Sequence, residues 1–482
     1  MSLASALTAA ASGLAAISRA TELVGTNIAN ATTDGYARRE LQLSSIPYAS
    51  GVLIEGVARR INAGVLGEVR QSAAGTAQAG VLANWSKTIE AAIGIPGDGK
   101  ALSDRVADLE SALIRATASP ESQLRLGDVL TAATDLAQAI NRIGTAAQDA
   151  RQGAEDAIAR DVEILNTGLA EVARLNRAIM AEKAAGNDTS ALEDARQRSI
   201  DGIAGIIPLR EAARDNGTVS LFTTNGAALL DGWEPAQISF PHAAQITPVM
   251  AAAGGGLAYL TIDGKALTAN QMELYAGGRL AANFTIRDTL APAMQAQADQ
   301  IATDLAARFA AGGPDGTIPT SAAGLFTDAG TAAGTPAPPG LAQRLTLNAA
   351  VDPARGGALW HLRDGLYATA EGDAGNASLL DGMISALRAP RNGAPLLTGG
   401  VARSAEGLAT DLSASASTTR LRNEASLTNQ TTRDQALRQS LAADGVDTDA
   451  ELQRLLALEQ AYAANARVIR AADSMLNTLL EI

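Results

Sequence analysis

The two ends of the chain carry matching stripes of apolar residues at helical spacing. In each stripe the residues recur at alternating steps of three and four, interrupted only by Thr21 near the N-terminus and Asn465 near the C-terminus. The stripe residues are Leu3, Leu7, Ala10, Leu14, Ile17, Val24 and Ile28 at one end, and Leu455, Leu458, Tyr462, Ile469, Ala472, Leu476 and Leu479 at the other. This spacing puts side chains on one face of a helix. It predicts two terminal helices that pack against each other and against other copies of the chain.

On most helices an apolar stripe is simply the face that packs against the core of the monomer. These two stripes lie at the termini, are rich in alanine, and have no third helix close in sequence to cover them. Burying one Leu or Ile side chain contributes about 1.5 to 3 kcal/mol, and two lone helices recover only part of that. We therefore expect the ends to be labile in the free monomer and to order on assembly.

Composition narrows the class of protein. A chain of 482 residues with 47% hydrophobic residues can bury several domain cores, and 3% aromatic residues favour close helix packing over a large ligand cavity. The formal net charge of −13 opposes binding to nucleic acid or to anionic membranes. The chain has no cysteine, no apolar run long enough to span a membrane and no basic cluster before its first apolar stretch, so composition alone predicts a cytoplasmic protein.

Local signals predict a mainly α fold with inserted β structure, in an elongated multidomain chain. Ser2 is the predicted N-cap of the first helix, Ser119-Pro120 begins a long helical rod that ends at Gly186, and Thr448-x-x-Glu451 reads as a capping box. The terminal helices should form a coiled-coil-like domain. The predicted segments are 1–58 (helix and extended connector), 59–204 (helical body), 205–282 (inserted β-rich domain), 283–312 (body helix), 313–400 (loop and β-rich outer segment), 401–446 (helical body) and 447–482 (terminal helix).

The β-rich prediction for 205–282 depends on turn chemistry. Asn216-Gly217, Asn225-Gly226, Asp231-Gly232 and Asp263-Gly264 separate short apolar runs, which is typical of hairpins with left-handed turn residues. A low-complexity segment at 329–340, with three prolines among Ala, Gly and Thr, predicts a linker.

The residues at both ends also carry a family resemblance. The stretch Thr26 to Arg39, with Asn-Ile-Ala-Asn-Ala at 27–31 followed by Gly35-Tyr36, resembles the signature of bacterial flagellar rod, hook and hook-associated proteins. The segment 455–480 resembles the terminal helix of the same group. The resemblance implies that Asn27, Asn30, Gly35 and Tyr36 shape the connector after the first helix, and that the stripe residues form an assembly interface.

The middle of the chain resembles the hook-associated junction proteins of that group, at 191–196, 277–280 and 287–288. This implies a structural junction adaptor between hook and filament, located in the extracellular flagellum after export through the flagellar channel without a cleaved signal. The implied partners are other copies of the chain, the hook protein, the next hook-associated junction protein and an export chaperone bound to the terminal helix. No cofactor, metal, nucleic acid or membrane insertion is implied.

Two alternatives remain open at this point. One is another axial protein such as the hook subunit, and the other is a surface hydrolase with flagellar-type ends, which no paired-carboxylate motif supports. The two histidines, His242 and His361, lie in segments of different character, and none of the 46 glycines forms a phosphate or dinucleotide fingerprint. The acidic residues at 444–451 lack the central glycine and spacing of a calcium loop, which favours a helix cap.

Overall fold

The computed structural model describes residues 3–46, 50–252, 254–334 and 338–480. The helices are α1 (Leu3–Ala29), α2 (Ala63–Ile93), α3 (Leu102–Thr117), α4 (Gln123–Ala184), α5 (Ser190–Ala204), α6 (Ala269–Met272), α7 (Gly278–Thr285), α8 (Ala291–Arg308), α9 (Leu341–Arg344), α10 (His361–Asp364), α11 (Ser378–Arg388), α12 (Pro395–Thr398), α13 (Ala405–Ala443) and α14 (Thr448–Leu480). The fold is mainly α with inserted β, as the sequence predicted. The predicted cap Ser2, residues 335–337 of the predicted linker, and the side chains of Leu3 and Leu479 lie outside the described part.

The strands form four small antiparallel sheets. They are β1 (Arg38–Ser45), β2 (Val52–Arg60), β3 (Leu209–Ala213), β4 (Val219–Thr223), β5 (Ala228–Asp231), β6 (Glu234–Pro235), β7 (Ile238–Ser239), β8 (Thr261–Ile262), β9 (Lys265–Ala266), β10 (Phe326–Asp328) and β11 (Leu345–Leu347). The sheet orders are β1-β2, β3-β4-β5-β6, β7-β8-β9 and β10-β11. Gly217, Gly226, Gly232 and Gly264 all have positive φ, which agrees with the predicted hairpin turns.

The helices α1 and α14 pack together as an antiparallel pair. A Cβ at Gly13 would lie 3.2 Å from the Asn465 amide nitrogen, and Asn27 bonds to Glu451, so the register runs in opposite directions along the two chains. Asn465, the polar break in its stripe, therefore lies where glycine leaves room for it. The β1–β2 hairpin runs back along α1, because the backbone N–H of Val52 donates to Ser12.

The long helix α4 is the backbone of the helical body, and its 62 residues span roughly 90 Å. The predicted start at Ser119-Pro120 was wrong. Ser122 is the N-cap, since its hydroxyl accepts from the backbone N–H of Arg125, while Pro120 lies in the turn that separates α3 from α4.

Two hydrophobic cores lie along α4. The first joins α4 residues Leu126 to Ala154 to α2, α3, α8, α11 and α13. The second joins α4 residues Ile158 to Ala173 to α5, α7 and the β3–β5 sheet. Between them, Glu155 and Arg287 form a fully buried ion pair at 2.7 Å. Arg287 lies on a π-helical turn at Ile286–Leu290 within the body helix that the sequence predicted for 283–312.

The chain returns to the terminal helices through α13, which packs along α2. The Asn423 amide donates to the Leu82 carbonyl at 3.2 Å, and Arg420 pairs with Glu90 at 2.5 Å. The two connections from the body to the terminal helix pair, the β1–β2 hairpin and α13, meet where the Asn62 amide donates to the Asp444 carboxylate at 3.2 Å.

Candidate assembly interface

The structure distributes the predicted stripe residues over three levels of exposure. Ala10, Val24 and Ala472 are buried, and Tyr462 and Leu476 are exposed. The half-buried stripe residues are Leu7, Leu14, Ile17 and Ile28 on α1, and Leu455, Leu458 and Ile469 on α14. The two helices that carry the stripes pack together, and part of the α14 stripe stays exposed.

A polar cluster closes one end of the helix pair, and we call it the Asn27 cluster: Asn27, Tyr36, Arg38 and Glu451. The Asn27 amide donates to the Glu451 carboxylate at 3.2 Å, and the Arg38 guanidinium donates to the same carboxylate at 2.6 Å. The Tyr36 hydroxyl donates to the Asn27 carbonyl oxygen at 2.7 Å. Asn27 also exchanges two 3.0 Å bonds with the backbone of Arg39. One asparagine thus fastens α1, α14 and β1 together.

Electrostatics strengthens this cluster. Burial raises the pKa of the Tyr36 hydroxyl, opposed by the Arg39 charge and supported by Asp194 and Glu451, so Tyr36 stays a donor. Burial alone would lower the pKa of the Arg38 guanidinium, but the hydrogen bond and charge of Glu451 raise it. Glu451 is fully buried, and a buried carboxylate is tolerated only where donors surround it.

The predicted capping box at Thr448 and Glu451 was wrong. Asp447 caps α14, because its carboxylate accepts from the backbone N–H groups of Asp449 and Ala450 at 2.9 and 3.1 Å. Glu451 is thereby free to turn inward and bind Asn27 and Arg38. The sequence correctly predicted a helix cap among these acidic residues, but the cap is Asp447, one residue before the predicted Thr448.

Asp194 of α5 ties the connector to the helical body. Its carboxylate accepts from Arg39 at 2.8 Å, from Arg59 at 2.8 Å and from the backbone N–H of Ala37 at 3.3 Å. Gly35, with φ of +72°, lies against α5, where a Cβ would meet the Arg198 side chain at 2.6 Å. A positive φ and this close approach both require glycine.

Asn30 ends α1 through local bonds. Its amide donates to the Thr26 carbonyl at 2.9 Å, and its side-chain oxygen accepts from Thr33 at 3.2 Å. Asn27, Gly35 and Tyr36 make long-range contacts, whereas Asn30 shapes only the turn.

Several large apolar residues of α14 are exposed. They are Leu452, Leu456, Tyr462, Val468, Met475 and Leu476, each between 38% and 61% exposed. Three hairpin residues, Leu43, Leu53 and Ile54, are also exposed. Exposed apolar residues in this number are typical of a protein interface. Within the described residues there is no cluster of His, Asp or Glu suited to a metal, and no helix there is long and apolar enough to cross a membrane.

Sequence reasoning missed the partners that hold the connector. Arg38 and Asp194 carried no periodic signal, and Glu451 was assigned to a cap. The one available signal was the density of arginines at 38–39 and 59–60, which requires carboxylates from elsewhere in the chain.

Models of known protein families match both the helical body and the C-terminal helix of this chain. Residues 87–317 match the family model for the flagellar hook-associated protein FlgK helical domain, and residues 437–482 match the flagellar basal body rod FlgEFG protein C-terminal model. The solved structure of the flagellar hook junction protein FlgK from Burkholderia pseudomallei is 19% identical, with a TM-score of 0.43 over 54% of this chain and 46% of that chain. The chain thus matches about half the length of that protein. A comparison with curated proteins found no match.

The two family matches define an axial protein of the bacterial flagellum, as the resemblance at the chain ends predicted. Within that class, residues 87–317, just under half of the chain, match the helical domain of flagellar hook-associated protein FlgK, as the resemblance in the middle of the chain predicted.

Proposed function

We propose that this protein is a structural junction adaptor between the hook and the filament of a bacterial flagellum, with no catalytic role. The observation that carries the proposal is the helix pair α1–α14, which the Asn27 cluster holds together while α14 keeps several large apolar residues exposed. This pair is joined to a body that matches the FlgK helical domain. A preformed helix pair with an uncovered face is suited to repeated contacts between copies of the same chain.

The terminal helix pairs would line the inner wall of a tube, the helical body would form the next shell, and the β-rich segments would face outward. Fixed geometry between the first two layers supports this arrangement. Glu451 holds α14 to the connector, and Asp194 holds the connector to α5. Because buried charges are costly to separate, the angle between the helix pair and the body resists change under load.

The proposed partners are other copies of the chain, the hook protein, the next hook-associated protein, and an export chaperone on α14. The exposed apolar residues of α14 support the last of these, since a chaperone would cover them before assembly. After export the same face would be covered by neighbouring copies.

The hydrolase alternative lacks support from the carboxylates in 205–400. Asp304, Asp328 and Asp364 each pair with an arginine at 2.6 to 2.7 Å, and the hydrogen bond from Arg363 lowers the pKa of Asp364. A general acid requires a raised pKa. The hook-subunit alternative is disfavoured because the FlgK helical model covers the middle of the chain.

The test is deletion of the gene followed by electron microscopy of the hooks. We expect complete hooks without filaments, filament subunits released into the medium, and recovery when the wild-type gene is restored. Loss of the hooks themselves would favour the hook-subunit alternative. Normal filaments on the deletion strain would overturn the junction role.

A further inference from the structure

A cavity of about 460 Å³ lies where the connector, the helical body and the β3–β6 sheet meet. Its lining includes Arg59 of β2, Arg70 of α2, Arg196 of α5 and Arg210 of β3. Four arginines from four elements thus converge on one space, in a protein whose formal net charge is −13.

Arg196 brings an unpaired charge to this cavity. It is only 8% exposed, and its guanidinium donates to the Asn176 side-chain oxygen and the Gly217 carbonyl, which are both neutral. Within the described residues, no ion pair involves Arg196. Burial lowers the pKa of this guanidinium, with Glu211 and Glu193 opposing that effect and Arg59 and Arg70 adding to it. Burying a charge without a partner is costly.

Arg70 has a buried guanidinium nitrogen that makes no hydrogen bond. It is 4% exposed, and it binds Asp201 and Glu211 through two of its nitrogens at 2.6 Å. Its remaining nitrogen, Nη2, is buried without a hydrogen-bond partner. Arg210 is exposed and makes no ion pair within the described chain.

The three glutamates of the lining do not cancel these charges. Glu211 is bound by Arg70 at 2.6 Å, Glu68 by Arg433 at 2.9 Å, and Glu193 lies 3.6 Å from Arg59. Arg196 and Arg210 therefore remain without an ion-pair partner among the described residues.

The first turn of α2 faces the same cavity. Ala63, Gly64 and Gly67 line it, and Asn62 caps only the N–H of Val65 among the first helical donors. The positive end of a 31-residue helix thus adds to the arginines. At Gly67 an added Cβ would meet nothing within 4 Å, so the lining is open there.

We propose that this cavity binds a small oxyanion, phosphate or carboxylate in chemistry, held by Arg196 and Arg210, with the charge of Arg70 and the first turn of α2 beside them. Guanidinium groups bind such anions in a forked, bidentate geometry. The bound anion would join α5, β3 and α2 beside Arg59, and so stiffen the connection between the helix pair and the body.

Calorimetric titration of the full chain with inorganic phosphate, and separately with succinate, at constant ionic strength tests the site. We expect binding and a rise in melting temperature with at least one of them. Arg210→Gln should weaken binding about tenfold, as loss of one charge-assisted hydrogen bond predicts. Arg177→Gln is the matched control, since Arg177 is an exposed arginine outside the cavity that makes no ion pair in the described chain. No binding of either anion, or equal weakening by both variants, would overturn the proposal.

A tethered carboxylate provides an independent test. Gly67→Glu and Gly67→Gln both raise helix propensity by similar amounts and differ in charge. We expect Gly67→Glu to melt at the higher temperature in phosphate-free buffer and to lose phosphate binding, while Gly67→Gln binds phosphate more tightly than Gly67→Glu. Identical melting and binding in the two variants would show that the cavity does not select negative charge.

Discussion

Replacing Glu451 by glutamine should open the junction between the helix pair and the connector. The buried Glu451 carboxylate accepts from two donors, the Asn27 amide and the Arg38 guanidinium. Glutamine keeps the size of the side chain but offers one acceptor oxygen and an NH₂ group. One of the two donors must then face another donor, and the charge that holds Arg38 is lost.

The magnitude follows from what each donor retains. Leaving one buried donor unpaired costs about 1 to 3 kcal/mol, and a hydrogen bond to a charged group contributes about 1.5 to 3 kcal/mol. Arg38 keeps its ion pair with Glu40 at 2.6 Å, and the Asn27 amide keeps its hydrogen bond to the Arg39 carbonyl at 3.0 Å. The loss is therefore expected in the lower part of these energy ranges. We expect a loss of about 2 kcal/mol in the local opening free energy, which is roughly a 30-fold change in the opening equilibrium.

Native-state hydrogen exchange measures this opening directly. Within the terminal helices and connector of the wild-type monomer, protection of the backbone amides should be highest in 26–40 and 448–456. It should fall toward the other end of the helix pair, which the Asn27 cluster does not reach. This refines the expectation that both terminal helices are labile throughout. Glu451→Gln should accelerate exchange roughly 30-fold in those two segments and leave α4 unchanged.

Glu459→Gln is the matched control, because Glu459 is exposed on the same helix and makes no ion pair within the described residues. Unchanged exchange in Glu451→Gln would refute the Asn27 cluster as the lock of the helix pair. Equal acceleration in α4 would show that the cluster belongs to the global folding unit.

Three further predictions concern neighbouring residues. Leu476→Asp should abolish incorporation at the hook tip with little change in thermal unfolding, since Leu476 is already 38% exposed in the monomer; normal assembly would place it outside the interface between copies. Gly35→Ala should lower stability by about 1 to 2 kcal/mol in urea unfolding, because its φ is +72° and a Cβ would meet Arg198; an unchanged midpoint would contradict this. Burial opposes ionisation of Glu40, but Arg60 and Arg38 lower its pKa, so its contribution is present above the usual glutamate pKa and is lost as pH falls. Glu40→Gln should therefore lower the melting temperature at neutral pH, and the difference from the wild type should shrink as the pH falls below the usual glutamate pKa; an equal loss at neutral and acid pH would exclude this cause.

The sequence predicted those elements whose signals are local. The stripes predicted α1 and α14, the Asn-Gly and Asp-Gly pairs predicted the turns of the β3–β6 sheet, and the polar periodic stretch from Ala405 predicted α13. Each signal depends on residues within a turn or two of one another, where spacing alone determines which side chains share a face. The family resemblance also depended on contiguous motifs.

Local signals predicted the wrong helix start where two serines close in sequence could each cap the same helix. Ser119-Pro120 is a good helix start by composition, yet Ser122 caps α4, because the chain first needs a turn to reverse from α3. The π-helical turn at Ile286–Leu290 has no local cause in the sequence. It coincides with the burial of Arg287 against Glu155, 132 positions away.

Amino-acid order by itself determined that this chain has two amphipathic terminal helices, a helical body and inserted hairpins, because periodicity and turn chemistry act over a few residues. Only the tertiary structure decided that Glu451 meets Asn27 across 424 positions, that Asp194 holds Arg39 and Arg59, and that four arginines surround one cavity. The physical reason is that a charged side chain has no periodic signature. Its partner is selected by which surfaces the packed helices bring together, and by the cost of leaving that charge buried alone.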